Sequence, residues 1–215
     1  MEHADIIKKT IDFVKVTLKD AEGGHDWHHI ERVYNNAKNI AETEDADILV
    51  VELAALLHDI ADPKFNNDED KGPALAAEFL TGIGIDPAVI THIQNIIRYM
   101  SFKSSFDEPA FTSIEMQIVQ DADRLDAIGA IGIARAFTYG GFKGRELYNP
   151  EIPPNLNMTR EEYKNTTAPT INHFYEKLLL LKDKMNTPAG KAIAEQRHTF
   201  MEDYLKQFFD ECGSS

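Results

Sequence analysis

Leu53-Ala54-Ala55-Leu56-Leu57-His58-Asp59-Ile60-Ala61-Asp62 sets two strong metal-liganding side chains side by side at the end of a very apolar run. Upstream, Ile48-Leu49-Val50-Val51-Glu52 extends that run without the alternation of a half-buried strand. From Asp47 to Ile60 it is too long for a typical core strand and is predicted to be a helix, apolar nearly all round and buried in mid-domain. Such a helix delivers His58 and Asp59 into the interior near its C-terminal end. A buried carboxylate is costly unless paired or bound to a metal, and neutral imidazole with carboxylate is a good ligand pair for a divalent cation. The remaining ligands must come from elsewhere in the chain.

The 215 residues suit one domain, and no linker divides them. The net charge of -14 and the sequence pI near 4.9 argue against a nucleic-acid partner or an anionic membrane surface, since both require a positive field. Any anionic ligand must therefore be held by local cations. Cys212 is the sole cysteine, which excludes an intrachain disulfide and a thiolate metal site and suits a reducing cytoplasm. Met1-Glu2-His3-Ala4-Asp5 lacks the basic-then-apolar pattern of a leader, and no run approaches about 18 to 20 apolar residues. A soluble, cytoplasmic protein is the expectation.

Taken in order, residues 5–20 have helical spacing, Gly23-Gly24 breaks it, and His25-Asp26-Trp27-His28-His29-Ile30-Glu31-Arg32-Val33 opens a second helix running to about Thr43. The buried helix follows as the third. A proline-asparagine loop gives way to helical spacing from Lys71 to Leu80, and Asp86-Pro87 has the cap-then-proline signal for a helix over 87–99. Ser101 to Pro109 reads as a loop. A helix from Ser113 runs into Gln120-Asp121-Ala122-Asp123-Arg124-Leu125-Asp126-Ala127-Ile128-Gly129, an otherwise apolar element interrupted by aspartates. Residues 139–158, rich in glycine and proline, read as irregular. Thr159-Arg160-Glu161-Glu162 has capping-box spacing for a helix from about 160 to 185, and Thr187-Pro188 opens a last helix ending near Phe209. No segment alternates as a strand does, so the fold class is all-α, a bundle of about eight to ten helices. The expectation is one domain over 1–215, with the helices of 159–210 packed on a core spanning about 20–145.

A metal held by His29, His58, Asp59 and Asp123 would draw one ligand from the second helix, two from the third and one from the aspartate-rich helix. Two imidazoles and two carboxylates suit a five- or six-coordinate Mn, Fe, Co, Ni or Mg ion and leave positions for water or a substrate oxygen. The order His, His-Asp, Asp resembles the HD-domain superfamily of metal-dependent phosphohydrolases. The stretches His25 to Val33, Leu56-Leu57-His58-Asp59-Ile60 and Gln120 to Asp126 are similar to its small bacterial single-domain branch, whose members include nucleoside-triphosphate pyrophosphohydrolases. The resemblance covers roughly residues 20–145 and implies an HD-type helical fold with ligands at His29, His58, Asp59 and Asp123. Asp123 is preferred to Asp121 and Asp126 because Ala122-Asp123-Arg124-Leu125 fits the family's Ala-Asp-x-Leu pattern. Relatives with two metals carry extra histidines near Ile97-Arg98-Tyr99-Met100-Ser101-Phe102-Lys103, where this chain has Arg98 and Tyr99, with His92 the nearest candidate. One divalent ion is the expectation, manganese among the candidates.

The activity so implied is attack of a metal-activated water on phosphorus in a small phosphorylated compound such as a nucleotide, as a triphosphate pyrophosphohydrolase or a phosphatase. Cations would neutralise the phosphate oxygens. Arg32, one turn after His29, is the first candidate, followed by Lys64, Lys103, Lys143 and Arg145 in the loops. His25 and Asp26, with Asp62 and Asp126 one turn beyond their ligands, are candidates for proton transfer or for orienting the imidazoles. A competing assignment pairs Arg32 with a carboxylate such as Asp126. Rival functions are a di-iron oxygenase on the same fold and a non-catalytic nucleotide sensor. A homodimer is compatible with a domain of this size.

Overall fold

A computed structural model describes residues 2–19, 26–61, 70–100, 111–159, 162 and 165–213. Among these residues the chain is all-α, with nine α-helices, one short 3-10 helix and no strand. It separates into two compact units, Met1–Asp123 and Arg124–Ser215.

The first unit contains α1 (His3–Thr17), α2 (Trp27–Ala41), α3 (Ile48–Leu57), α4 (Lys71–Gly82), α5 (Pro87–Tyr99) and most of α6 (Ile114–Asp126). Its centre is α3, which packs against α1, α2 and α5, and every residue from Val50 to Leu57 is buried. That environment is why the sequence shows no polar stripe: a helix surrounded by others has no wet face. The Asp47 carboxylate accepts from the Leu49 and Val50 N–H groups at 2.9 and 3.2 Å, a cap worth about 1 kcal/mol. Asp86 caps α5 in the same way, accepting from Ala88 at 2.8 Å, and α5 spans the expected residues. The third helix is shorter than expected. It stops at Leu57 because the chain tightens, with the Ile60 N–H bonding the Leu57 carbonyl, so His58 and Asp59 stand in a turn.

Glu52 is a charged residue in the middle of α3, and the fold pays for its burial with partners. The Tyr34 hydroxyl donates to Glu52 Oε1 at 2.8 Å, the Lys38 ammonium lies 3.8 Å from the same oxygen, and His3 pairs with Oε2. Burial, then the bond and charge of Glu52, push the Tyr34 phenol above its ordinary range.

The second unit holds α7 (Gly129–Phe142), α8 (Asn172–Glu176), the 3-10 helix Leu178–Lys184 and α9 (Pro188–Glu211). Phe137, Phe174, Tyr204 and Phe208 meet there with ring centroids 6.0 to 6.4 Å apart. Three expectations change. The aspartate-rich element ends at Asp126, and Gly129, at φ 71°, starts α7. Residues 139–142, expected to be irregular, close α7: a side chain on Gly140 would put its Cβ 2.1 Å from Thr170 Oγ1, so that glycine serves close packing rather than a turn. Of the helix expected over 160–185, Glu162 and Asn165 are helical, residues 160, 161, 163 and 164 lie outside the described residues, and 166–169 are not helical. Beyond them come α8 and the 3-10 segment, divided at Lys177, whose φ of −147° is not helical. The capping box itself forms, with the Thr159 N–H donating to Glu162 Oε2 at 2.7 Å and the Glu162 N–H to Thr159 Oγ1 at 3.3 Å.

His173 is half-buried, and burial, followed by the charges of Lys177 and Arg145, pushes its imidazole down to about 4. An unfolded histidine titrates near 6.5, so between those values the unfolded chain binds the proton that the folded one rejects. The stabilisation from neutral His173 is full above about pH 6.5 and is lost as pH falls towards 4. The expected outcome is that Tm falls over this window and that His173→Gln flattens the fall, as followed by scanning fluorimetry across the range.

Candidate metal centre

His29 enters the site because α2 starts where it does. Asp26 is the N-cap residue, its carboxylate accepting from the His29 N–H at 3.0 Å, which fixes the backbone of the first turn and turns the imidazole inward. The His29 side chain is 2% exposed. His58 follows the last turn of α3, and its Nδ1 lies 2.8 Å from the Ala55 carbonyl oxygen. A carbonyl only accepts, so Nδ1 carries the proton and Nε2 presents its lone pair. That Nε2 is buried and has no hydrogen-bond partner among the described residues.

The atoms around it are spaced for an ion rather than for one another. His29 Nε2 lies 3.6 Å from Asp123 Oδ1 and 3.9 Å from Asp59 Oδ2, and His58 Nε2 lies 4.0 Å from Asp123 Oδ1. These separations exceed a good hydrogen bond. Ligands about 2.1 Å from one cation sit roughly 3 Å apart when adjacent and roughly 4.2 Å apart when opposite, and the observed values fall in that range. The ligand atoms of His29, His58 and Asp59 all lie within 4.8 Å of one another. The residues therefore fit a divalent ion, with imidazole sides buried and the Asp123 side chain, at 45% exposure, open to water.

Among the three aspartates of α6, the structure brings Asp123 to the imidazoles. Asp121 is fully buried, and Asp126 is buried in an ion pair with Arg135 at 2.8 Å. Arg32 lies half-buried on α2, one turn after His29. Lys143 and Arg145 belong to the second unit, where both lie over the Tyr139 ring and Arg145 donates to the Thr166 carbonyl at 2.7 Å. His25, Asp62, Lys64 and Lys103 lie outside the described residues. Sequence reasoning passed over Asn36, whose amide donates to the Ala122 carbonyl at 3.3 Å. Its position seven residues after His29, two helical turns along one face, was the signal. It also passed over Glu115, which accepts from the Asp47 N–H at 3.1 Å and whose contact nothing local in the sequence announces.

With this geometry in place, residues 26–128 match the HD domain family model. The chain is 41% identical over 198 residues to YpgQ of Bacillus subtilis, covering 91% of this chain and 88% of that protein. It resembles the crystal structure of an HD-superfamily hydrolase from Bacillus thuringiensis, with 43% identity, a TM-score of 0.81 and full coverage of both chains. The structure of Bacillus subtilis YpgQ in complex with ADP matches at a TM-score of 0.76 over 98% of this chain and 97% of that one. The chain belongs to the HD superfamily. It is a hydrolase of the metal-dependent phosphohydrolase class that the family defines. No helix among the described residues is long and apolar enough to cross a membrane.

Asp26 separates two roles that one carboxylate can play. Asp26→Ala is expected to cost about 1 kcal/mol of stability and to weaken metal binding through His29, whereas Asp26→Asn keeps the capping oxygen and the Tm. If the carboxylate also moves a proton, Asp26→Asn lowers turnover at unchanged Tm; thermal melts beside Mn2+ titrations and initial rates read both.

Proposed function

We propose that this protein is a divalent-metal-dependent phosphohydrolase acting on a nucleotide. The observation that carries the reading is His58 Nε2, buried without a hydrogen-bond partner among the described residues, its tautomer set by Ala55, and facing Asp123 at ion-sharing distance. His29, His58, Asp59 and Asp123 would hold the ion. When bound, a divalent ion lowers the pKa of a water and polarises a phosphoryl oxygen, so no nucleophilic side chain is required.

The chain's own groups supply the rest. Asp26 fixes the start of α2 and so the aim of His29, and the Ala55 carbonyl fixes the aim of His58. Arg32 is proposed to neutralise phosphate oxygens as charge spreads over them in the transition state, a task for which a guanidinium fork is well shaped. His25 and Asp62 are proposed for proton handling, and Lys64, Lys103, Lys143 and Arg145 as weaker phosphate contacts. The ADP complex of YpgQ supports a nucleotide as the ligand. A cytoplasmic location and action as a homodimer are part of the same reading.

The test is a screen of Mn, Co, Ni and Mg against deoxynucleoside and ribonucleoside triphosphates, monophosphates and an aryl phosphate. His58→Ala and Asp59→Ala are expected to lose metal and turnover together, by several orders of magnitude in rate, while the helical circular dichroism persists. Binding without turnover under every ion would favour a sensor. About two irons per chain with oxygen consumption would favour the oxygenase.

A further inference from the structure

The ligands arrive on separate helices, His29 from α2, His58 and Asp59 from the end of α3, and Asp123 from α6, so the geometry depends on what holds α6 to the other two. Two side-chain contacts seen among the described residues contribute. Asn36 Nδ2 donates to the Ala122 carbonyl at 3.3 Å, tying α2 to the residue before Asp123. That carbonyl lies within α6 and is already of the kind that accepts from the N–H four residues on, so the amide adds a second bond rather than rescuing an orphan.

The other contact lies at the opposite end of the helices. Ser113 caps α6, its hydroxyl accepting from the Met116 N–H at 3.1 Å, and Glu115 sits in the first turn. One Glu115 oxygen accepts from the N–H of Asp47, the N-cap residue of α3, at 3.1 Å. The other lies 3.4 Å from His92 Nε2 of α5, which is itself 2.9 Å from the Ser113 hydroxyl. A carboxylate at the N-terminal ends of α3 and α6 is favoured by the partial positive charge of both. Glu115 thus ties together the starts of the two helices, and His58 and Asp59, just past the end of α3, and Asp123, near the end of α6, lie roughly 12 to 18 Å further on.

We infer that Asn36 and Glu115 are positioning residues that hold Asp123 in register with the imidazole ligands, and through that register set metal affinity. This rests on the metal centre proposed above. Neither residue is among the four proposed to hold the ion.

The experiment titrates Mn2+ into the full chain by calorimetry and records the visible spectrum of the Co2+ form. Asn36→Ala and Glu115→Ala are each expected to weaken Mn2+ binding about tenfold and to shift the Co2+ bands, with helical content retained. Glu115→Gln keeps an oxygen for the Asp47 N–H and is expected to restore binding to within about threefold of the parent. Variants that melt earlier but bind Mn2+ and show Co2+ bands like the parent would overturn the inference, as would Glu115→Gln binding as weakly as Glu115→Ala. Should Glu115→Ala fail to fold, Asn36→Ala and Glu115→Gln decide by the same two readouts. His58→Ala is the separate control: parent-like Mn2+ binding there overturns the metal centre itself, whatever the other variants do.

Discussion

A buried imidazole nitrogen left without a hydrogen bond carries a desolvation penalty of about 1 to 3 kcal/mol, and the arrangement of the first unit turns on His58 Nε2, which has no such partner among the described residues. Protonating the ring would place a charge among carboxylates, but Asp123 stands 4.0 Å away, too far for a direct bond. Flipping the ring would break the 2.8 Å contact with the Ala55 carbonyl. A cation at the centre satisfies Nε2 and the neighbouring carboxylates at once. His58 Nε2 is therefore poorly placed for the carboxylate it faces, in a cluster that could hold an ion.

Electrostatics then separate holding the metal from holding the substrate. Two carboxylates and one divalent ion sum close to neutral, so the centre by itself offers little long-range attraction to a polyanion. The chain as a whole, at -14, repels one. On the proposed function, affinity for a phosphate compound would come from short-range cations and from direct coordination, the task proposed for Arg32 on α2, one turn after His29.

Much of this was legible in the residues. The apolar run ending in His58-Asp59 marked α3 as central because no face of it was polar, and the cap-then-proline pairs marked α5 and α9. Thr187, for example, caps α9 by accepting from the Gly190 N–H at 3.0 Å. What failed was local sequence standing for tertiary packing. Gly140 and Gly141 looked like loop residues, yet α7 runs through them because Thr170 leaves no room for a Cβ at Gly140. The 160–185 stretch had helical spacing but broke into short pieces, since periodicity reports a buried face without specifying α over 3-10 pitch. Asp123 was separated from Asp121 and Asp126 by the family's Ala-Asp-x-Leu pattern and not by periodicity, because the helix phase relative to α2 and α3 is not displayed by a single sequence.

The buried polar groups of the first unit divide into two kinds, and the division explains why one is a site and another is not. Glu52 is buried like His29, yet one of its oxygens accepts from Tyr34 at 2.8 Å with the Lys38 ammonium 3.8 Å away, and the other pairs with His3, so its partners come from two other helices. Its cost is settled within the chain, and the outcome is a fixed docking of α1 and α2 on α3. His29 Nε2 lies 3.6 Å from Asp123 and 3.9 Å from Asp59, and His58 Nε2 lies 4.0 Å from Asp123, spacings longer than a good hydrogen bond, and His58 Nε2 has no hydrogen-bond partner among the described residues to offset its desolvation. Burial by itself does not mark function. The discriminating feature is convergence that stops about one ion's width short.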